Sequence, residues 1–338
     1  MLEARDLAIR FRVAGGWLGA RRQVHALDGV SLTLAAGEVV AVVGESGCGK
    51  TTLARALMRL TPPSAGRVLF QGEDLATLSG AGLEQFRREV QMVFQDPFAS
   101  LNPRKTVLQA IAQPLRIHRL VPAAGRRAEA ARLLDLVGLS PGDSFLDRYP
   151  HQFSGGQRQR ICIARALAVR PAVIVADEAV SALDISIRAQ ILALLLRLRR
   201  ELGLAYLFIT HDLGVVRSLC DRVVVMYLGR VVEEGATEDI FRRPRHPYTT
   251  ALMNASPVPD PVLARARAVA PLEGDPPSPV APPSGCHFHP RCPVARPVCA
   301  AQAPALRDIA PGQRAACHFA EEAAAWPVLA HLMEENRT

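Results

Sequence analysis

The 338-residue chain is 49% hydrophobic and 21% charged, enough to bury an α/β core and leave room for a smaller second unit. Its formal net charge of +8 is dispersed, with Arg197, Arg199 and Arg200 as dense as the basic residues get, so charge alone selects no nucleic-acid partner. No charge-free apolar window of about 18 residues occurs, and the start, Met1-Leu-Glu-Ala-Arg-Asp6, lacks the basic-then-apolar profile of a signal peptide; a membrane-spanning helix is excluded and a cytoplasmic chain is expected.

The segment Glu38-Val-Val-Ala-Val-Val-Gly44 is an unbroken apolar run ending in glycine, the pattern of a buried parallel strand, and 51–60 follows as a helix. Between about 97 and 168 the strand signals give way to helices at 107–116, 123–137 and 157–168, which predicts a helical lobe inserted in the sheet domain. Buried strands return at 172–176, ending in Asp177-Glu178, and at 205–210, ending in His211-Asp212. The helix at 187–202 lies between them, with Ile191, Leu194, Leu195 and Leu198 on one face. Strands at 223–227 and 230–233 read as a hairpin across Leu228-Gly229. Alternating strands and helices give an α/β fold with a mostly parallel sheet over 1–242. Nine prolines between Pro257 and Pro283 then mark a stiff connector within an extension at 243–338.

Chemistry enters at Gly44-Glu-Ser-Gly-Cys-Gly-Lys-Thr51, which matches G-x-x-x-x-G-K-[ST] between a predicted strand and a predicted helix. Gly44, Gly47 and Gly49 let the backbone N–H groups of a loop that includes Glu45, Ser46, Cys48 and Thr52 turn inward on a polyphosphate, helped by the helix N-terminus. Lys50 would reach the β- and γ-phosphates, and Thr51 would ligate Mg²⁺. A glycine-rich turn that binds nothing is the competing reading, disfavoured by the strand–loop–helix context. Asp177 ends a buried strand and can reach the same Mg²⁺; Glu178 can polarise an attacking water.

A phosphate loop alone suits many nucleotide enzymes, and Phe153-Ser-Gly-Gly-Gln-Arg158 narrows the choice. Ser154, Gly155, Gly156 and Gln157 open a helix and make a second anion site on the same chain. One nucleotide cannot use two distant phosphate sites of one subunit, whereas two subunits arranged head to tail can close each other's. These motifs resemble the ABC ATPase family, whose signature is usually Leu-Ser-Gly-Gly-Gln, with Phe153 here in place of leucine. The resemblance implies a P-loop NTPase fold, ATP and Mg²⁺ as ligands, and Gln95 as the glutamine that senses Mg²⁺ and water. It also implies Ser181, Ala182, Leu183 and Asp184 as the D-loop at a dimer seam, and His211 as the switch histidine at the γ-phosphate. Glu178, His211 and Gln95 form the implied catalytic set. Phe11, at the end of the first strand, is the first choice for stacking adenine, and Trp17 in the loop beyond is the second. Ala179-Val180 departs from the family's usual proline after the glutamate, loosening a turn without removing a catalytic group.

Three stretches resemble the dipeptide, oligopeptide and nickel importers of that family: 91–103 around Gln95, 180–187 around the D-loop, and Arg245-His-Pro-Tyr-Thr-Thr-Ala-Leu252. The wording near Gln95 is closer to the second ATPase of such systems. The resemblance implies a second ATPase chain or a homodimer, two permease subunits, an external solute-binding protein, and a peripheral location at the cytoplasmic face of the membrane. Cys286, Cys292, Cys299 and Cys317 cluster in the extension with His287, His289 and His318 nearby. In a reducing compartment that cluster points to metal rather than to disulfides. Related chains imply a [4Fe–4S] cluster there, Zn²⁺ is the competitor, and free thiols are the third possibility. A soluble ABC-type ATPase acting on nucleic acid or ribosomes is the rival function; such chains carry two cassettes or a long coiled coil, and this sequence has neither. No nucleic-acid partner is expected.

Overall fold

A computed structural model describes residues 1–13, 22–181, 183–255 and 274–326, so the expectations for Trp17 and Ala182 lie outside the described residues. In chain order, strands β1 (Leu2–Val13), β2 (Arg22–Leu34) and β3 (Val39–Val43) precede helix α1 (Lys50–Leu57). Strands β4 (Ala65–Phe70) and β5 (Glu73–Asp74), helix α2 (Gly80–Glu89) and strand β6 (Val90–Val93) come next. Four helices follow: α3 (Pro97–Ser100), α4 (Val107–Ile117), α5 (Arg126–Leu136) and α6 (Gly155–Leu167). Then come β7 (Val173–Asp177), α7 (Ile185–Leu202), β8 (Ala205–Ile209), α8 (Leu213–Leu219), β9 (Arg222–Tyr227) and β10 (Arg230–Ala236). Next come α9 (Thr237–Arg242), α10 (Pro247–Asn254), α11 (Pro297–Ala301), β11 (Arg307–Ala310) and β12 (Gln313–Ala315), before a closing 3₁₀ turn at Ala320–Ala325.

Two compact units divide the chain, the first made of residues 1–2, 34–39 and 69–209. Within it β6, β7 and β8 run parallel, with Val93 beside Ala176 and Asp177 beside Ile209. Every residue of β7 and β8 is buried, which is why 173–176 and all of β8 are unbroken apolar rather than alternating. Helix α7 buries Ile191, Leu194, Leu195 and Leu198, the face its periodicity predicts. The helix expected at 123–137 is shorter: after Pro122 a single 3₁₀ turn ends at Gly125, and α5 starts at Arg126. In contrast, the helix expected from 157 starts at Gly155, because Ser154 caps it.

The second unit holds residues 3–33, 40–68 and 210 onward. Here β3 lies parallel to β9, with Val42 beside Val224, and β9 pairs antiparallel with β10 in the expected hairpin. The cysteine-rich extension contributes a hairpin that its sequence hid. β12 pairs antiparallel with β10, Glu233 beside Ala315, and β11 pairs with β12. A separate sheet carries β2, β1 and β4 in that order. The inward alternation of β1 breaks at Asp6, which has φ 48° and donates its N–H to Ser31 Oγ at 2.9 Å. Among the described residues no helix is long and apolar enough to cross a membrane.

Candidate functional site

In the second unit, β3 runs directly into the loop 44–49. Gly44 adopts φ 153°, and a Cβ there would overlap the Met226 carbonyl oxygen; Gly49 adopts φ 106°, and a Cβ there would overlap that of Ala26. Only glycine lets the loop pass so close to the neighbouring backbone. Gly49 is also the N-cap of α1 and carries no side chain to cap it. Lys50, 6% exposed, folds over the loop, donating from Nζ to the carbonyls of Gly44 at 2.7 Å and Glu45 at 2.9 Å. Thr51 and Ser46 face outward, Thr52 is half-buried, and Cys48 is buried, its thiol pushed up by burial. A cradle of glycine-lined backbone with an ammonium folded over it has the chemistry a polyphosphate requires, and Thr51, next to it in sequence, is exposed. Thr210 donates its N–H to Val42 O at 3.2 Å, which brings the exposed His211 just past the β3 end from which the loop departs. Phe11 lies near the end of β1, 44% exposed, as a stacking residue must be.

The first unit joins two candidates 83 residues apart: Gln95 Nε2 donates to Glu178 Oε2 at 2.7 Å. Glu178 occupies the left-handed region at φ 47°, unusual for a residue with a side chain, directly after the buried Asp177 at the end of β7. Its turn is held without proline. Glu178 N–H donates to Ile209 O, Ser181 N–H and Oγ both donate to Glu178 O, and Ser181 Oγ lies 3.3 Å from Glu178 Oε2. The turn at Ala179 and Val180 is thus pinned by Ser181, and both residues are buried. Leu183 and Asp184 complete the described part of the D-loop stretch, Asp184 as the N-cap of α7.

Ser154 and Gln157 spend their side chains on each other's backbone: Ser154 Oγ accepts from Gln157 N–H at 3.3 Å and Gln157 Oε1 from Ser154 N–H at 3.0 Å. Gly155 and Gly156 fill the first two helical positions, whose N–H groups have no partner inside a helix. Gly156 is glycine for a packing reason as well, since a Cβ would overlap Ile187 of α7.

In the extension, Cys286, Cys292, Cys299 and Cys317 line one cavity together with His246, His289, His318, Phe288 and Phe319. Backbone N–H groups two residues on are aimed at three of the sulfurs: Phe288 at Cys286, Val294 at Cys292, and Phe319 at Cys317, the last at 3.5 Å. Burial pushes the Cys292 thiol up to about 11 and Cys317 up to about 12, and neighbouring cysteines add to both shifts. Among the described residues no three or more His, Cys, Asp or Glu side chains are drawn together so as to hold a metal ion.

Three residues bearing on the phosphate loop escaped the sequence reading. Tyr248 Oη accepts from Glu45 N–H at 2.7 Å, and Arg291 forks onto the Glu45 carboxylate while reaching Tyr227 Oη at 3.4 Å. Tyr248 sits in the stretch 245–252 singled out above, but nothing in its spacing points to Glu45.

With this geometry in hand, similarity to known proteins narrows the family. Residues 27–181 match the ABC transporter family, and residues 232–299 match the oligopeptide/dipeptide transporter C-terminal region. A probable peptide ABC transporter ATP-binding protein of Sinorhizobium fredii is 52% identical over 96% of this chain and 91% of its own length. The oligopeptide transport ATP-binding protein AppF of Bacillus subtilis is 48% identical over 94% of this chain and 97% of its own length. Among solved structures, a dimeric post-hydrolysis state of the ATP-binding cassette MJ0796, bound to ADP and Pi, superposes with TM-score 0.61 at 30% identity, over 70% of this chain and 99% of that one. Nucleotide loop, paired Gln95 and Glu178, and a matching C-terminal region together make this chain a member of the ABC transporter ATP-binding subunits, with the P-loop NTPase fold and the ATPase activity of that family.

Proposed function

We propose that the chain energises the import of di- or oligopeptides, working as a dimer with a homologous ATPase chain or a second copy of itself against two permease subunits at the cytoplasmic face of a membrane, with an external solute-binding protein delivering the cargo. The observation that carries the catalytic part is the 2.7 Å bond between Gln95 and Glu178, which holds a carboxylate and an amide together at the end of a buried strand. The peptide cargo is supported by relatives about half identical along their whole length and named for peptide transport.

In this reading Gly44, Glu45, Ser46, Gly47, Cys48, Gly49, Lys50, Thr51 and Thr52 bind the triphosphate, and Phe11 stacks on adenine. Thr51, Gln95 and Asp177 attend to Mg²⁺, which screens the phosphate charge when bound. Glu178 orients and deprotonates the attacking water, His211 contacts the γ-phosphate, and Ser154, Gly155, Gly156 and Gln157 present helix N–H groups to the nucleotide of the opposing subunit. The D-loop, Ser181 to Asp184, crosses the seam. Deleting the gene should abolish growth on peptides as the sole source of an essential amino acid, and the Glu178→Gln variant should fail to restore it; uptake of peptides unaffected by the deletion would refute the cargo.

The extension is read as the seat of a [4Fe–4S] cluster on Cys286, Cys292, Cys299 and Cys317. Four thiols lining one cavity support it over free thiols scattered on a surface. The cluster would serve as a structural tie for the extension. Chain purified without oxygen should contain iron and acid-labile sulfide near four of each per chain; zinc, or neither element, would overturn the assignment.

A further inference from the structure

The ion pair between Arg291 and Glu45 has no place in the roles assigned so far. Glu45 is the second residue of the phosphate loop, and an acid there is unfavourable beside an anionic triphosphate. Arg291 approaches from the cysteine-rich extension, 246 residues away in sequence, and grips both carboxylate oxygens, Nη1 to Oε2 at 2.8 Å and Nη2 to Oε1 at 3.1 Å. Its side chain is 6% exposed and that of Glu45 25% exposed, so solvent screens the pair little. The backbone of the same residue is held from the same side, with Glu45 N–H donating to Tyr248 Oη at 2.7 Å.

Behind these contacts lies an aromatic wedge. Phe288 sits edge-on to Tyr227 at 5.2 Å and 5.4 Å from Tyr248, and the two tyrosines are 4.6 Å apart. Arg291 closes the 3₁₀ turn that follows Phe288, donating its N–H to Phe288 O at 3.0 Å, one residue before Cys292. The guanidinium is therefore delivered by a hydrogen-bonded turn within the cysteine lobe.

We propose that Arg291 is a positioning residue for nucleotide binding: it neutralises Glu45 and fixes the shoulder of the phosphate loop, so that the loop's affinity for MgATP depends on the cysteine-rich extension. The proposal rests on the reading of residues 44–52 as the triphosphate loop. Removing the guanidinium would leave an uncompensated carboxylate in a loop built for anions; Coulomb repulsion would then weaken binding more than it slows the hydrolytic step, since Glu178 and Gln95 are untouched.

Equilibrium binding of a fluorescent ATP analogue with Mg²⁺, measured on the full-length chain together with its ATPase partner, tests this. Arg291→Ala should weaken binding roughly tenfold, raising KM for ATP with kcat changed by less than about twofold. Arg291→Lys keeps the charge but loses the fork, and should fall between the two. The double variant Arg291→Ala/Glu45→Gln should recover most of the lost affinity, a rescue that a purely structural role for Arg291 cannot produce. Arg296→Ala, which breaks the exposed pair with Glu322 in the same lobe, should bind as the natural chain does. Unaltered affinity in both Arg291 variants, or a loss that Glu45→Gln does not rescue, or an equal loss in Arg296→Ala, overturns the proposal. Lys50→Ala separates the two failures: normal binding there defeats the phosphate-loop reading itself, whereas lost binding there with unaltered Arg291→Ala defeats only the clamp.

Discussion

Glu178 shows how single residues carry this site. Its backbone is held at φ 47° by bonds to Ile209 and Ser181, and its carboxylate by Gln95. Replacing the carboxylate with an amide keeps that scaffold and removes the group we propose accepts the proton, so Glu178→Gln should lower ATP turnover by at least about 100-fold while MgATP still binds; steady-state hydrolysis and equilibrium binding on the same preparation read the two effects apart. At Gly44 the constraint is steric. A methyl group would meet the Met226 carbonyl, and Gly44→Ala should destabilise the fold by about 2 kcal/mol or more, visible as a lower denaturant midpoint. The placement of Lys50 and Thr51 at the start of α1, and of Asp177 and Glu178 where β7 ends, was legible in the sequence because a strand–loop–helix motif and a strand-end acid pair are each contiguous. Arg291 and Tyr248 were not, because a bond to a partner 246 or 203 residues away leaves no local spacing to read.

Among the elements, β10 is the one the extension depends on. Glu233 is fully buried on it, accepting from Arg245 N–H at 2.6 Å, His246 N–H at 2.9 Å and Gln313 Nε2 of β12 at 2.9 Å. Burial outweighs these donors and pushes its carboxyl from 4.5 up to about 7. The folded chain thus holds this proton more tightly than the unfolded one. The associated stability is full below pH 4.5 and lost as pH rises through about 7. Burial drives the neighbouring His246 the other way, from 6.5 down to about 3, withdrawing stability as pH falls below 6.5. A difference measurement isolates the carboxyl: the Tm of the natural chain minus that of Glu233→Gln should decrease between pH 4.5 and 7 and then level off. A difference that rises with pH would contradict the buried-acid account. The buried strands β3, β7 and β8 could be read from sequence, since burial on both faces demands apolar runs. The β11–β12 hairpin could not: Arg307–Ala310 and Gln313–Ala315 are short and polar, and what recruits them is a pairing with β10 and an amide reaching Glu233.

At the scale of the whole molecule, the proposed function has the triphosphate join two chains. The phosphate loop and the start of α6 are each suited to an anion, and the family's cassettes include a dimer solved with ADP and Pi. Pairing follows if Ser154 and Gly156 of one chain complete the loop of another, and slow hydrolysis should prolong it. Sedimentation of the Glu178→Gln chain with its ATPase partner, with and without MgATP, measures this directly. Adding MgATP should convert separate chains into a pair, and a further Ser154→Arg should abolish that shift; chains that still sediment separately at saturating MgATP rule the pairing out.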